Sequence, residues 1–249
     1  MGAIDRRTLR KRGALAVAGA SAHARADAAT ERRLRLINAV AATAFIVGGS
    51  LFALGALLAQ GDVGGPRLPA AVFLLGGVFF STGGYASVLQ VIDAPRAAGA
   101  DGVVRAAPWR WWASEPGRLD WWSAVALFVG TLYFGASLLA ALVGDLTTAQ
   151  IHRLVWSPEV IGCLLFLVSG HLALTEMQRD RPRGRRADLG WWIVVVNQAG
   201  SALFMVAAIA AFVRPESGDE LAVGLANWGT FAGALCFAVA GAMQEFERP

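Results

Sequence analysis

Charged residues are missing from long stretches of this chain, and no other feature constrains its fold so tightly. None falls in residues 36–61, 68–92, 121–144, 189–213 or 221–244. A helix crosses the hydrocarbon core of a bilayer with roughly 20 apolar residues, so each of these runs suffices. A sixth run, 160–175, is short unless Glu159 and Glu176 lie at the two interfaces. Composition agrees, because 56% hydrophobic and 16% charged residues leave more apolar surface than a soluble domain of this length can bury. The expected fold is all-α: a polytopic membrane protein with six transmembrane helices forming three tandem helical hairpins.

Basic residues sort the loops by side. Nineteen of the 22 Lys and Arg fall in the amino-terminal segment, the second and fourth loops and the carboxyl terminus, leaving Arg67, Arg153 and Arg214 in the odd loops. Basic residues near span ends stay preferentially in the cytoplasm, so both termini are expected there. The segments are then a basic, disordered cytoplasmic tail over 1–34, hairpin 1 over 35–92, an interfacial cytoplasmic loop over 93–120, hairpin 2 over 121–177, an Arg-rich loop over 178–190 and hairpin 3 over 191–245. A competing reading takes "RRTLRKRGALAVAGASAHARA" as an export signal, on its twin arginines and Ala-x-Ala spacing. Arginine used almost without lysine, beside abundant alanine, suggests a GC-rich bacterial genome and hence the plasma membrane as location.

The even spans share one pattern: Gly76, Phe80 and Gly84; Gly162, Phe166 and Gly170; Gly233, Phe237 and Gly241. The odd spans keep a shorter form in Gly48 with Phe52, Gly130 with Phe134, and Gly200 with Phe204. Residues four apart share a helix face, where glycine lets a neighbouring backbone approach closely, so this is expected to be a helix-packing motif. With the matching stretches that start at Trp121 and Trp191, it makes the chain three copies of one helical hairpin. In "EPGRLDWW", "WSPEVIGCLLFLVSGHLAL" and "LANWGTFAGALCF" the chain resembles the YrhK-like membrane proteins, whose unit is a two-helix hairpin with a Gly-x-x-x-Phe pattern in each helix. The first hairpin departs from that pattern, lacking the paired tryptophans and the Trp-x-Pro start. The resemblance implies small integral membrane proteins without an assigned activity, and no catalytic residue carries over.

Tryptophans at 109, 111, 112, 121, 122, 191 and 192 are expected at the headgroups on the cytoplasmic side, and Trp156 on the outer side. Residues 107–122 read as an interfacial or re-entrant segment with Arg110 and Arg118 on lipid phosphates. Ser157, Pro158 and Glu159 read as the cap and first turn of the fourth span. Cys163 and Cys236 read as small buried thiols. Glu176, Glu245 and Asp93 fall where spans meet the cytoplasm, beside loop arginines.

Polar residues inside the spans are few. His171 in the fourth span and Asn197 and Gln198 in the fifth lie at one depth, which makes them a candidate intramembrane cluster joined by hydrogen bonds, with Ser169 or Thr175 as a second partner. A neutral histidine joining two helices and a proton or ligand contact both fit. No phosphate loop, His-x-x-x-His pair or serine elbow is present, and no pair of histidines stands at matched depth for haem. The expectations are therefore no catalytic residues, no metal, no cofactor and no enzyme activity. As partners the chain should have the lipid bilayer and a protein partner or further copies of itself, and no nucleic acid. Two functions remain open: a non-catalytic membrane scaffold or partner subunit, and a small transporter or channel with a polar site near His171, Asn197 and Gln198.

Overall fold

A computed structural model of the chain describes residues 25–94, 103–105, 108–179 and 189–246. The expected tail up to residue 24 and most of the Arg-rich loop lie outside these residues. Among these residues six helices are long and apolar enough to cross a bilayer, which makes this an integral, multi-pass membrane protein with an all-α fold. They are α1 (Ala28–Gln60), α2 (Arg67–Ile92), α3 (Leu119–Val143), α4 (Ser157–Arg179), α5 (Leu189–Ala210) and α6 (Val223–Glu245). The strands found among the described residues are a two-residue parallel pair, β1 (Arg25–Ala26) with β2 (Val103–Val104).

Helix α1 begins seven residues before the expected hairpin. The Asp27 carboxylate accepts from the Thr30 N–H at 2.8 Å, the Thr30 hydroxyl and then this N–H hold its pKa below the usual carboxylate range, and Glu31 adds a second negative charge to the first turn. Absence of charge marks the hydrocarbon core of a span, whereas the helix itself runs on through the headgroup layer, so 28–34 are helical and not tail.

The fourth span also starts earlier. Thr147 and Gln150 form a capping box, one α-turn (Thr148–Gln150) follows, and Ile151–Trp156 run as π-helix into α4. Ser157 is therefore not a cap. Its hydroxyl donates to the His152 carbonyl at 2.7 Å inside a continuous helix. The wide π turns accommodate Pro158, which has no N–H and crowds the carbonyl four residues back. With this extension the span covers Thr148–Gln178 and is no longer short.

The helices stand in a closed ring in chain order, with α6 packed back onto α1. Within each pair the glycines meet reciprocally. A Cβ on Gly48 would lie 2.8 Å from Phe80 Cδ2 and 3.1 Å from the Gly76 carbonyl; one on Gly76 would lie 2.7 Å from Phe52 Cδ2 and 3.2 Å from the Gly48 carbonyl. Gly130 and Gly162 repeat the arrangement with Phe166 and Phe134, and Gly200 and Gly233 with Phe237 and Phe204. The second glycine of each even helix serves the joint to the next pair: Gly84 meets Phe128 Cα, Gly170 meets Gln198, and Gly241 meets the Ala42 carbonyl.

The six phenylalanines of the pattern fill the ring with one aromatic layer, all of them buried. Phe52, Phe134 and Phe204 form a central triangle with centroids 5.9, 6.1 and 6.4 Å apart. Each sits against the phenylalanine of its partner helix, Phe80 at 5.1 Å, Phe166 at 5.2 Å and Phe237 at 5.4 Å. Such pairs are worth about 0.5–1.5 kcal/mol each beyond area burial. In lipid, where helices gain no hydrophobic energy from meeting each other, packing of this kind holds the bundle together.

Overpacking a well-filled contact costs about 1–3 kcal/mol. Gly76→Ala should therefore lower stability in detergent by that amount, while Gly135→Ala, whose new methyl would meet nothing within 4 Å, should leave it unchanged. Unfolding of the two variants in parallel, followed by far-UV circular dichroism, checks this.

Candidate functional site

On one side of the phenylalanine layer, toward the end of the bundle that carries residues 108–118 and the last turn of α6, lies a cavity of about 180 Å³ to which all six helices contribute. Phe45, Phe166 and Phe237 line it at the layer. The walls are polar. Asn38 on α1 is a hub: its Oδ1 accepts from Gln90 Nε2 at 3.2 Å and Gln244 Nε2 at 3.1 Å, and its own amide donates to the Gln244 carbonyl at 3.0 Å. On the opposite wall Ser123 donates to the Ser169 carbonyl at 2.9 Å, joining α3 to α4. Ser87, Asp120, Glu176, Asn197 and Ser201 complete the polar lining.

Asp120 is held from behind. Arg118 Nε donates to its Oδ1 at 3.0 Å, a second guanidinium nitrogen reaches Oδ2, and the Trp121 N–H adds a bond of 2.9 Å. Arg118 also bonds Glu115 at 2.7 Å and the Val91 carbonyl at 3.3 Å. Arg110 donates its backbone N–H to Asp93 at 3.0 Å, and its side chain reaches the Ile92 carbonyl and Glu115. Asp93, fully buried, also pairs with Arg33 at 2.6 Å, and that guanidinium lies over the Trp109 ring.

This network revises two expectations. Residues 108–118 are extended and turned, with no helix, and Arg110 and Arg118 spend their donors on carboxylates and helix-end carbonyls of the protein instead of lipid phosphates. Such partners lie at fixed positions, and α2 ends with carbonyls that have no intrahelical donor. Trp121, expected at the headgroups, is buried and donates to the Ala113 carbonyl at 2.9 Å. Trp109, Trp111, Trp112, Trp122 and Trp192 are exposed. Both cysteines are free, with Cys163 buried and Cys236 half-buried.

The three residues of the expected cluster part company. His171 lies exposed on the outer face of α4, and its backbone carbonyl accepts from Thr175 at 2.8 Å. Asn197 turns into the cavity, with no side-chain partner among the described residues. Gln198 wedges into the α4–α5 joint, its Nε2 reaching the Leu167 carbonyl at 3.4 Å while its Oε1 is buried without a partner. Equal depth brings the three to one level of the bundle, but a step of one residue turns a helix by about 100°, so Asn197 and Gln198 cannot face the same neighbour.

Gln198 has counterparts elsewhere in the ring. Counted from the layer phenylalanine, it matches Ile46 on α1 and Phe128 on α3, the residues that meet Gly241 and Gly84. At those joints the glycine approaches backbone; at Gly170 it meets an amide side chain, and α4–α5 is the least extensive contact around the ring. The cavity reaches this joint through Gly170, Ala173, Val194 and Asn197.

No family model matches the chain, and no curated protein or solved structure matches it. The cavity's chemistry is therefore read from its own residues. Asn38, Gln90, Asp120, Ser123 and Gln244 escaped attention in the sequence because each lies near the polar end of a span, where such residues are ordinary. The usable signal was correspondence: from the layer phenylalanines, Asn38 matches Asp120 and Gln90 matches Glu176, so polar side chains recur at two levels on one face.

A buried carbonyl oxygen without a donor costs about 1–3 kcal/mol. Gln198→Leu should accordingly raise the unfolding free energy by about 1 kcal/mol, net of the long bond to Leu167, while His171→Leu should change it by less than about 0.5 kcal/mol, as for an exposed site. Thermal unfolding in detergent distinguishes the two.

Proposed function

We propose that this protein is a small-solute binding protein of the transporter class, in which the cavity receives a solute from one side and the phenylalanine layer closes the way to the other. The single observation that carries this is a polar cavity at the centre of a ring, lined by all six helices and bounded by a continuous aromatic layer. Packing alone does not call for it. Asn197 presents an unpaired amide to the cavity inside an apolar bundle, where an unsatisfied polar group is expensive unless water or a solute meets it. The distribution of arginines supports a cytoplasmic mouth and cytoplasmic termini, and the arginine-rich, lysine-poor composition supports a bacterial plasma membrane. The reciprocal glycine contacts support reading the chain as three copies of one hairpin, and with it the proposed kinship to YrhK-like proteins.

A scaffold or partner-subunit role has its own supporting observation. Only 22% of each of the α3 and α4 spans is buried, against 56% of α1, and His171 lies on this exposed surface. An imidazole facing hydrocarbon favours a protein neighbour over lipid.

Accessibility separates the two. With Cys163 and Cys236 replaced by alanine, N197C in sealed vesicles should react with a membrane-impermeant thiol reagent from the side of the arginine-rich loops and not from the other side. Additional Phe134→Ala, which opens the central triangle, should admit the reagent from both. A position 197 that no side reaches, together with a complex that His171→Arg disperses in light scattering, would favour the scaffold.

A further inference from the structure

Beyond marking a solute site, the hydrogen bonds of the cavity wall narrow what the solute is. We infer that the site takes a small neutral amide of the urea class, a conclusion that rests on the cavity's being a solute site. The charges of the wall are already answered by the protein. Both oxygens of Asp120 accept from Arg118, Glu176 is likewise engaged, and no Lys, Arg or His stands among the described lining residues. An ion entering here would give up its water with no free opposite charge to replace it, which costs far more than burying a neutral polar group.

Neutral polar groups are what the wall leaves to a guest. Asn197 turns into the cavity with no side-chain partner among the described residues, so it presents a carbonyl oxygen and an amide nitrogen side by side. The complement of that edge is another amide edge, with a carbonyl that accepts from Asn197 and an adjacent N–H that donates to it. The hydroxyls define the rest of the guest. Ser87 donates to the Gly83 carbonyl at 2.9 Å, Ser123 to that of Ser169 at 2.9 Å and Ser201 to that of Asn197 at 2.9 Å. With their hydrogens committed to helix backbone, these side chains meet a guest with lone pairs alone. Gln90 and Gln244 each spend an amide hydrogen on Asn38 as well. A wall richer in acceptors than in donors calls for several N–H groups on one carbonyl, and urea, with an amide edge on either side, is the compact case. Size agrees. At about 30 Å³ of liquid volume per water, a cavity of about 180 Å³ has room for about six waters, enough for urea or a short primary amide. Phe45, Phe166 and Phe237 close the layer end with apolar surface, on which the flat face of an amide can rest.

The test is protection of a cysteine. With Cys163 and Cys236 replaced by alanine, Ala173→Cys places a thiol on the cavity wall, and its labelling by a thiol reagent is followed in the full chain in maltoside detergent. Three probes of similar shape are compared at concentrations far below denaturing: urea, acetone, which has no N–H, and guanidinium chloride, which is charged. Urea alone is expected to slow labelling, and saturably, whereas unfolding would speed it. A site built to receive N–H groups rejects an analogue without them. Asn197→Leu should raise the urea concentration for half-protection at least tenfold. Leu127→Asn, which adds a second amide at the equivalent wall position on α3, should lower it several-fold, a gain that misfolding cannot imitate. Equal protection by acetone or guanidinium, or wild-type protection in Asn197→Leu, overturns the amide and leaves the solute site standing. No protection by any probe, while N197C still labels from one side of sealed vesicles, also overturns the amide alone. No labelling at position 173 or 197 removes the site itself.

Discussion

A glycine on each helix, four residues before a phenylalanine, lets two backbones meet at van der Waals distance and lays the phenylalanine of one helix over the glycine of the other. Everything else in the bundle depends on that contact. It is made once in each helix pair, at one level, so six phenylalanines arrive in one plane and fill the ring's interior. A bundle pinned at one level and lined by smaller or polar residues above it has a cavity there as a geometric result. Lipid adds the reason this arrangement must be so exact, since between helices in a bilayer only packing and polar contacts favour association.

What chemistry the molecule has lies in departures from its threefold pattern. Phe45, Leu127 and Asn197 occupy equivalent positions and all line the cavity, yet one of them is an amide. Ile46, Phe128 and Gln198 occupy the three joints between pairs, and only the last is polar. Both exceptions fall on α5, so the ring's pattern is broken along the α4–α5 joint. The polar pair Asn38 and Asp120 shows the same economy: one neutral and one charged side chain at matched positions, the first joined to other amides and the second anchored by Arg118.

Most of the architecture was legible in the sequence because membrane spans are marked by the absence of charge, a signal that survives without knowledge of tertiary contacts. The glycine and phenylalanine positions were legible for a related reason, since their spacing recurs in register. Span ends were less so. Asp27 and Thr147 begin helices inside stretches that hydropathy treats as polar, and Pro158 imitates a first-turn proline in the middle of a helix. The candidate site was misjudged for a specific reason: depth along a helix can be counted from sequence, whereas which way a side chain points depends on rotation about the axis. His171 and Gln198 share a level and face different surroundings, and the amides that do meet, Asn38, Gln90 and Gln244, stand on the first two helices and the last.

The ring is closed by its first and last helices. Gly49 sits against the Ala234 carbonyl and Gly241 against that of Ala42, so α1 offers α6 a backbone groove with no room for a Cβ. During synthesis that groove stands open until the final helix leaves the ribosome, and α1 waits in the membrane with a bare flank through the insertion of the four spans between. The aromatic plane gains its last member, Phe237, at the same moment. A chain of this design becomes a sealed object in one late step, and before it every partly made copy is a cleft open to lipid, suited to capture by insertion factors or by another unfinished chain.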